Sequence, residues 1–235
     1  MSAVILIPAR WASTRFPGKP LALIAGISLI QRVYERAQRA RRAKAIFVAT
    51  DDARIAEHVT GFGGKVVQPR GDFQSGGDRI AASLNLLGEE FDEVVNVQGD
   101  EPLIDAAVID NLIDTLETTK ADMATLACPL GGDEELQSRD IVKVVAALDG
   151  TALYFSRAPL AGALRHIGLY GYQTAVLRKL AALPPSPLER AESLEQLRAL
   201  QNGFRIHLLQ TSKPHLGVDR PEDVLRVEQE LAKHG

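Results

Sequence analysis

The chain has 235 residues, 46% hydrophobic and 24% charged, with 27 basic against 30 acidic side chains. That length buries a substantial core. The near-neutral balance argues against a general nucleic-acid binder and leaves room for a local basic site that takes a small polyanion. The single cysteine, Cys128, excludes an internal disulfide and a Cys/His zinc cluster, and no apolar stretch reaches the length of a membrane span.

The N-terminal MSAVILIPAR lacks a basic region ahead of its short apolar run. It does not read as a signal peptide, and a reducing cytoplasm is the expected location. Residues 3–9 are apolar, β-branched and short, which predicts a buried strand. Residues 28–40 place Leu29, Ile30, Val33 and Ala37 at helical spacing. A second strand is expected at 45–50, then a helix at 51–63 capped by Asp51 or Asp52 and stopped by glycine. A strand at 65–68, a helix at 76–87, a strand at 93–98 and an amphipathic helix at 105–117 follow. Such alternation implies parallel strands with helical crossovers.

The second half is less regular. Segments 140–148 and 151–157 flank Asp149-Gly150, a hairpin turn signal, and 166–173 reads as another strand. A helix is expected at 189–201, a strand at 204–210 and a closing helix at 220–234 with Pro221 in its first turn. Cys128 lies in the apolar run MATLACPL and reads as a buried, inert thiol. The expectation is a single α/β domain over 1–235: a Rossmann-like, mainly parallel sheet flanked by helices, with a small antiparallel sub-layer near 140–175.

In an open α/β sheet, ligands bind beyond the carboxyl ends of the strands. After the first strand come Arg10, Ser13, Thr14, Arg15, Gly18 and Lys19. Cations, hydroxyls and free N–H groups suit phosphate oxygens. Neither GxxxxGK[ST] nor GxGxxG is present there, so the loop is not a Walker A or a dinucleotide fingerprint; residue types put phosphate binding slightly ahead of a solvated basic loop that pairs with nearby acids. Asp100 and Glu101 in VVNVQGDEPLI follow a strand, where a carboxylate suits a hard cation. Asp105 is the better helix cap. In FQSGGDR, Gly76 and Gly77 permit close backbone approach and Arg79 adds a cation, although a helix-capping turn accounts for it equally. Asp219 reads either as the cap of the last helix or as a second carboxylate for metal. Glu192, Glu195 and Gln196 fall on adjacent parts of one expected helix, where Glu195 and Arg198 form an i,i+3 surface pair. His166 belongs to a candidate strand.

Taken in order, LIPARWASTRFPGKPL, VATDD, QSGGDR, VNVQGDEPLI, ALYFSR, HIGLYGYQ, SPLERAESLEQLRAL and GVDRPEDV resemble the 3-deoxy-manno-octulosonate (Kdo) cytidylyltransferases along nearly the whole chain. The resemblance implies the reaction CTP + Kdo → CMP-Kdo + pyrophosphate, feeding lipopolysaccharide synthesis, with Mg²⁺ as cofactor and a homodimer in the cytoplasm. It implies nucleotide contacts from Arg10, Ser13, Thr14, Arg15, Lys19, Ser75, Arg79 and Gln98. Asp100 and Asp219 match the metal aspartates and, with Lys19, the catalytic group. Gln98, His166, Tyr170, Glu192 and Gln196 match the sugar side; the sugar carboxylate would also need a cation, for which Arg157 is a candidate. The opening loop would then be basic because the triphosphate is a polyanion.

Two departures stand out. The family's longer loop, often beginning Ile-Pro-aromatic, is here the short APLAGALR (158–165), and its SGT-[ED]-R is here SGGDR, with Gly77 in place of the hydroxyl. The alternatives that follow are a cytidylyltransferase for 8-amino-Kdo or another acidic ulosonic sugar, and a catalytically silent nucleotide-binding homologue.

Overall fold

The computed structural model describes residues 1–13, 15–71, 73, 75–212 and 216–233. In chain order the elements begin with β1 (Ala3–Pro8), β2 (Leu23–Ile24), β3 (Ile27–Ser28), α1 (Leu29–Ala37), β4 (Ala43–Ala49), α2 (Ala53–Gly61), β5 (Val66–Val67) and α3 (Gly76–Leu84). Next come β6 (Glu93–Asn96), α4 (Ala106–Thr119), β7 (Met123–Cys128), α5 (Asp133–Gln137), β8 (Lys143–Ala146), β9 (Ala152–Ser156) and β10 (Leu164–Gln173). The chain closes with α6 (Thr174–Ala182), α7 (Pro187–Glu192), α8 (Gln196–Gln201), β11 (Ile206–Gln210) and α9 (Pro221–Ala232).

The backbone forms two compact units, one of residues 1, 92–95 and 111–214, the other of 2–91, 96–110 and 215–235. In the second unit, β1 pairs in parallel with β4, and β4 with β5. The side chains of β1 from Ala3 to Ile7 are buried on both faces, as a helix-covered parallel strand requires. Local chemistry sets the helix starts. Ser28 caps α1, Asp52 caps α2 by accepting from Arg54 N–H, and Ser75 caps α3 by accepting from Asp78 N–H. Asp105 accepts from Ala107 N–H at the start of α4.

In the first unit, β11 runs parallel to β7, and β7 antiparallel to β10. The hairpin β8–β9 pairs antiparallel and joins β10 through β8. This is the antiparallel group expected near 140–175. Its turn is closed by Thr151 N–H donating to Asp149 Oδ1, with Gly150 at φ 83°. Cys128 is buried, and burial pushes its thiol pKa up, in keeping with an inert group.

Two expectations need correction. The helix expected at 189–201 is two helices, α7 and α8. Ser193 adopts a left-handed φ of 54° and ends α7, whose start is fixed by Pro187 and the Ser186–Glu189 capping box. Glu192 and Gln196 therefore sit on different helices. Arg198 is not a surface residue but is buried, its guanidinium gripping Glu189 at 2.6 and 2.8 Å. The β2–β3 hairpin, β7, α5 and α6 are elements the sequence patterning did not mark.

Candidate functional site

The residues expected on the phosphate side lie in the second unit, around the carboxyl end of β1. Ala9 N–H still bonds the Ala49 carbonyl, and the chain leaves the sheet at Arg10. The loop is tied at its base by Trp11, whose carbonyl accepts from both Ser13 and Gly18 N–H. Gly18 has φ 70°, and a Cβ there would stand 3.0 Å from the Trp11 ring, so the position needs glycine on both counts. The Arg54 guanidinium stacks 3.4 Å from the centroid of the other participant, the Trp11 ring, and is itself held by Asp52 at 2.6 Å. Lys19 then opens a short 3₁₀ turn, Lys19–Leu21, anchored by buried Pro20.

Beside this loop runs the segment after β6. Val97 N–H donates to the Leu6 carbonyl, extending the parallel register, and Gly99 passes so close that a Cβ would lie 2.8 Å from the Pro8 carbonyl oxygen. Asp100 follows at once. Its carbonyl accepts from Val218 N–H at 2.8 Å, which brings Asp219 alongside. Lys19 Nζ lies 2.8 Å from Asp100 Oδ2 and 3.5 Å from Asp219 Oδ1, and Arg15 reaches Asp219 Oδ1 at 3.0 Å.

Asp219 does not cap α9, contrary to the local reading. Asp223 accepts from the N–H groups of Asp219 and Arg220 at 2.9 Å each. The Asp219 carboxylate faces the two cations instead.

One cavity collects Arg10, Ser13, Arg15, Lys19, Ser75, Arg79, Gln98, Asp100 and Asp219, all of them expected from the sequence. Thr14 lies outside the described residues. Ser75 combines this position with its cap on α3. Arg79 is buried, paired with Asp51 at 2.9 Å and seated over the Phe73 ring. Arg10 is exposed and makes no ion pair among the described residues. The cavity is thus strongly polar, with two carboxylates on one ammonium and further guanidinium groups around them. Among the described residues no cluster of three or more His, Cys, Asp or Glu side chains forms a ready-made metal cage.

The residues expected on the sugar side, other than Gln98, lie in the first unit. His166 and Tyr170 share β10, their ring centroids 5.5 Å apart. Two residues of β10 are looped out between the Ile167–Leu126 and Tyr170–Thr125 pairs, which keeps both rings on one face. The Thr125 hydroxyl fills that irregularity, donating to the Leu169 carbonyl at 2.8 Å. Having spent its proton, it accepts from His166 Nε2 at 3.0 Å, which leaves Nδ1 as the acceptor of a neutral ring. Burial holds the His166 pKa well below the usual imidazole range and pushes that of the Tyr170 phenol up, with the Glu195 charge adding to the latter.

Glu192 is committed to the protein itself. Oε1 accepts from Ser156 Oγ at 2.7 Å and Oε2 from Arg157 N–H at 2.9 Å. Burial works against its charge, but these bonds and the nearby Arg139 and Arg157 leave its pKa below the usual range. Arg157 follows β9. Its guanidinium bonds the carbonyls of Glu192 and Arg139 and, among the described residues, no carboxylate. Gln196 is buried at the start of α8, with Nε2 lacking any partner among the described residues. Trp11, Arg54, Ser156, Thr125 and Lys143 were not marked by sequence reasoning. Lys143 alone carried a signal, as a charge inside the apolar IVKVV.

Comparison with known proteins identifies the family. The family described as Cytidylyltransferase matches residues 4–206. The 3-deoxy-manno-octulosonate cytidylyltransferase of Syntrophotalea carbinolica is 48% identical, with 98% of this chain and 99% of that protein covered. The 8-amino-3,8-dideoxy-manno-octulosonate cytidylyltransferase of Shewanella sp. is 45% identical, with 99% of each covered. A solved CMP:2-keto-3-deoxy-manno-octonic acid synthetase complexed with CTP superposes with a TM-score of 0.95 at 38% identity, over 100% of both chains. The chain belongs to the family of the 3-deoxy-manno-octulosonate cytidylyltransferases.

Proposed function

We propose that this protein transfers CMP from CTP to the anomeric hydroxyl of Kdo, releasing pyrophosphate. The observation that carries the reading is the meeting of Lys19 with both Asp100 and Asp219 in a cavity rimmed by Arg10, Arg15 and Arg79. Cations of this density suit a triphosphate, and paired carboxylates suit a hard divalent ion bound to its oxygens. The residues fit magnesium: both carboxylates already converge on one positive charge, and all the donors are oxygen. Asp100 and Asp219 would hold it. When bound, it supplies Lewis-acid activation of the attacking hydroxyl and neutralises phosphate charge.

The side chains do the rest by position and charge. Lys19, Arg15 and Arg10 bind the phosphates and stabilise the charge that builds on departing pyrophosphate. Ser13 and Ser75 add hydroxyl donors. Arg157 takes the sugar carboxylate, and the unpartnered Gln196 Nε2 donates to a sugar oxygen, since a buried amide without a partner is costly until a ligand supplies one. His166, held neutral, and Tyr170 complete that side. Glu192 serves by fixing Ser156 and Arg157. The protein acts as a cytoplasmic homodimer supplying lipopolysaccharide synthesis; Leu148 and Leu153, exposed on the β8–β9 hairpin, offer apolar surface for a second copy.

The test is pyrophosphate release from CTP and Mg²⁺ with Kdo, with 8-amino-Kdo, with sialic acid and with no sugar. Release with Kdo is expected. Release with 8-amino-Kdo alone keeps the chemistry and reassigns the sugar. No release with any of them, despite CTP binding, overturns the reading in favour of a silent nucleotide binder.

A further inference from the structure

Lys143 opens β8 as a charged side chain within the apolar run IVKVV, and it is fully buried. No carboxylate touches it among the described residues. Its ammonium instead donates to three main-chain carbonyls: Ser138, Ile141 at 2.9 Å and Arg157 at 3.1 Å. A buried cation without a counter-ion is costly, so a core position of this kind would be better filled by an apolar residue for stability alone. Burial, with repulsion from Arg139 and Arg157, lowers its pKa against the weaker opposing pull of the Glu192 charge, which lies near without touching it.

The three carbonyls belong to segments that converge on Arg157. Ser138 and Ile141 flank Arg139, whose carbonyl accepts from Arg157 NH1. The Arg157 backbone is clamped at both ends, its N–H on Glu192 Oε2 and its carbonyl on Lys143 Nζ. Lys143 stands opposite Ser156 in the β8–β9 ladder, and Ser156 Oγ bonds the other oxygen of Glu192. The guanidinium of Arg157 is thus aimed by carbonyls, with the Glu192 charge nearby but, among the described residues, no carboxylate bonded to it. A carboxylate partner would have consumed the guanidinium charge.

We propose that Lys143 is a positioning residue for the acidic end of the sugar, acting through the carbonyl of Arg157 and the 138–141 turn. The proposal rests on Arg157 as the partner of the sugar carboxylate.

The experiment is steady-state pyrophosphate release with Kdo and CTP varied separately, for Lys143→Met, Arg157→Ala and the double variant, with a thermal melt of each. Lys143→Met is expected to raise the KM for Kdo about tenfold while the KM for CTP stays within about twofold, and to add nothing in the Arg157→Ala background, because residues acting as a unit are non-additive. A folded Lys143→Met with an unchanged Kdo KM, beside an Arg157→Ala variant that raises it, overturns the role of Lys143 and leaves Arg157 in place. An unchanged Kdo KM in Arg157→Ala overturns the carboxylate assignment and this proposal with it. Full additivity in the double variant marks Lys143 as merely structural and also overturns it. If Lys143→Met does not fold, Lys143→Arg carries the same test, since a planar guanidinium cannot reproduce three radial bonds from one nitrogen. A raised Kdo KM at constant CTP KM then supports the proposal, and wild-type values for both overturn it.

Discussion

Lys19 Nζ lies 2.8 Å from Asp100 Oδ2, and the same nitrogen reaches Asp219 at 3.5 Å. The lysine therefore stands where a divalent cation would be held. On the proposed function, a triphosphate would give the ammonium a better partner and release the carboxylates. Lys19→Met should bind Mn²⁺ in the absence of nucleotide about tenfold more tightly than the wild type, because a competing positive charge is gone. Isothermal titration without CTP checks this. The same variant should show a raised KM for CTP; equal Mn²⁺ affinity in the two proteins would show that lysine and metal do not compete.

Asp100→Asn should lower kcat by about a thousandfold if the residue holds the activating ion, since that ion generates the nucleophile. The side chain is about one-third exposed (32%), so the fold should survive. A melting temperature within a few degrees of wild type, together with near-normal turnover, would remove Asp100 from the chemistry.

Gly99→Ala forces a Cβ to within 2.8 Å of the Pro8 carbonyl, a contact with backbone that cannot swing away. The expected cost is about 1–3 kcal/mol in urea unfolding. Asp100 should move with the displaced chain, so kcat should fall as well. Loss of stability without loss of turnover would separate the Gly99 contact from the placement of Asp100.

Arg198→Ala leaves Glu189 buried without its guanidinium; the pair is only 7% and 12% exposed. Breaking it should cost about 3–5 kcal/mol, read from denaturant midpoints. Conservative loss below about 1 kcal/mol would mean that α7 and α8 stay docked without the pair.

Acid should destabilise the first unit through two groups of matching sign. Glu189 has a folded pKa below its ordinary value: burial opposes the charge, but the Arg198 and Ser186 bonds outweigh it. Its stabilisation is present above the unfolded pKa and is lost as the pH falls through the folded one. His166 is held neutral by burial. The unfolded chain takes up a proton at His166 first, so stability drops as the pH falls below the unfolded imidazole value, about 6.5. Melts from pH 7.5 to 5 should show a steady decline that is shallower in His166→Gln. A flat profile in the wild type over that range would count against the His166 assignment, while the Glu189 contribution is read from melts below about pH 4.5.

The parts of the fold legible in the sequence are those set by local chemistry. Strand β1 was marked by its run of apolar β-branched residues, the start of α2 by Asp52 and the β8–β9 turn by Asp149-Gly150. Strand β7 was not, because all six of its residues are buried and an apolar run without alternation carries no period. The break at Ser193 was also hidden. Neither glycine nor proline marks it, and what holds it is the distant grip of Arg198 on Glu189. For the site, the motif residues around β1 and Asp100 could be named one by one. Their convergence could not, since it depends on Val218 bonding the Asp100 carbonyl across more than a hundred residues of chain.

The DRPED segment divides its labour. Asp223 takes the helix end and Asp219, four residues earlier, is left to the cations. Helix end and cation pairing are thereby assigned to separate carboxylates within one turn of chain. Loss of Asp223 should be felt as fraying of α9 and, on the proposed function, loss of Asp219 as failed turnover, so neither of these two aspartates can stand in for the other.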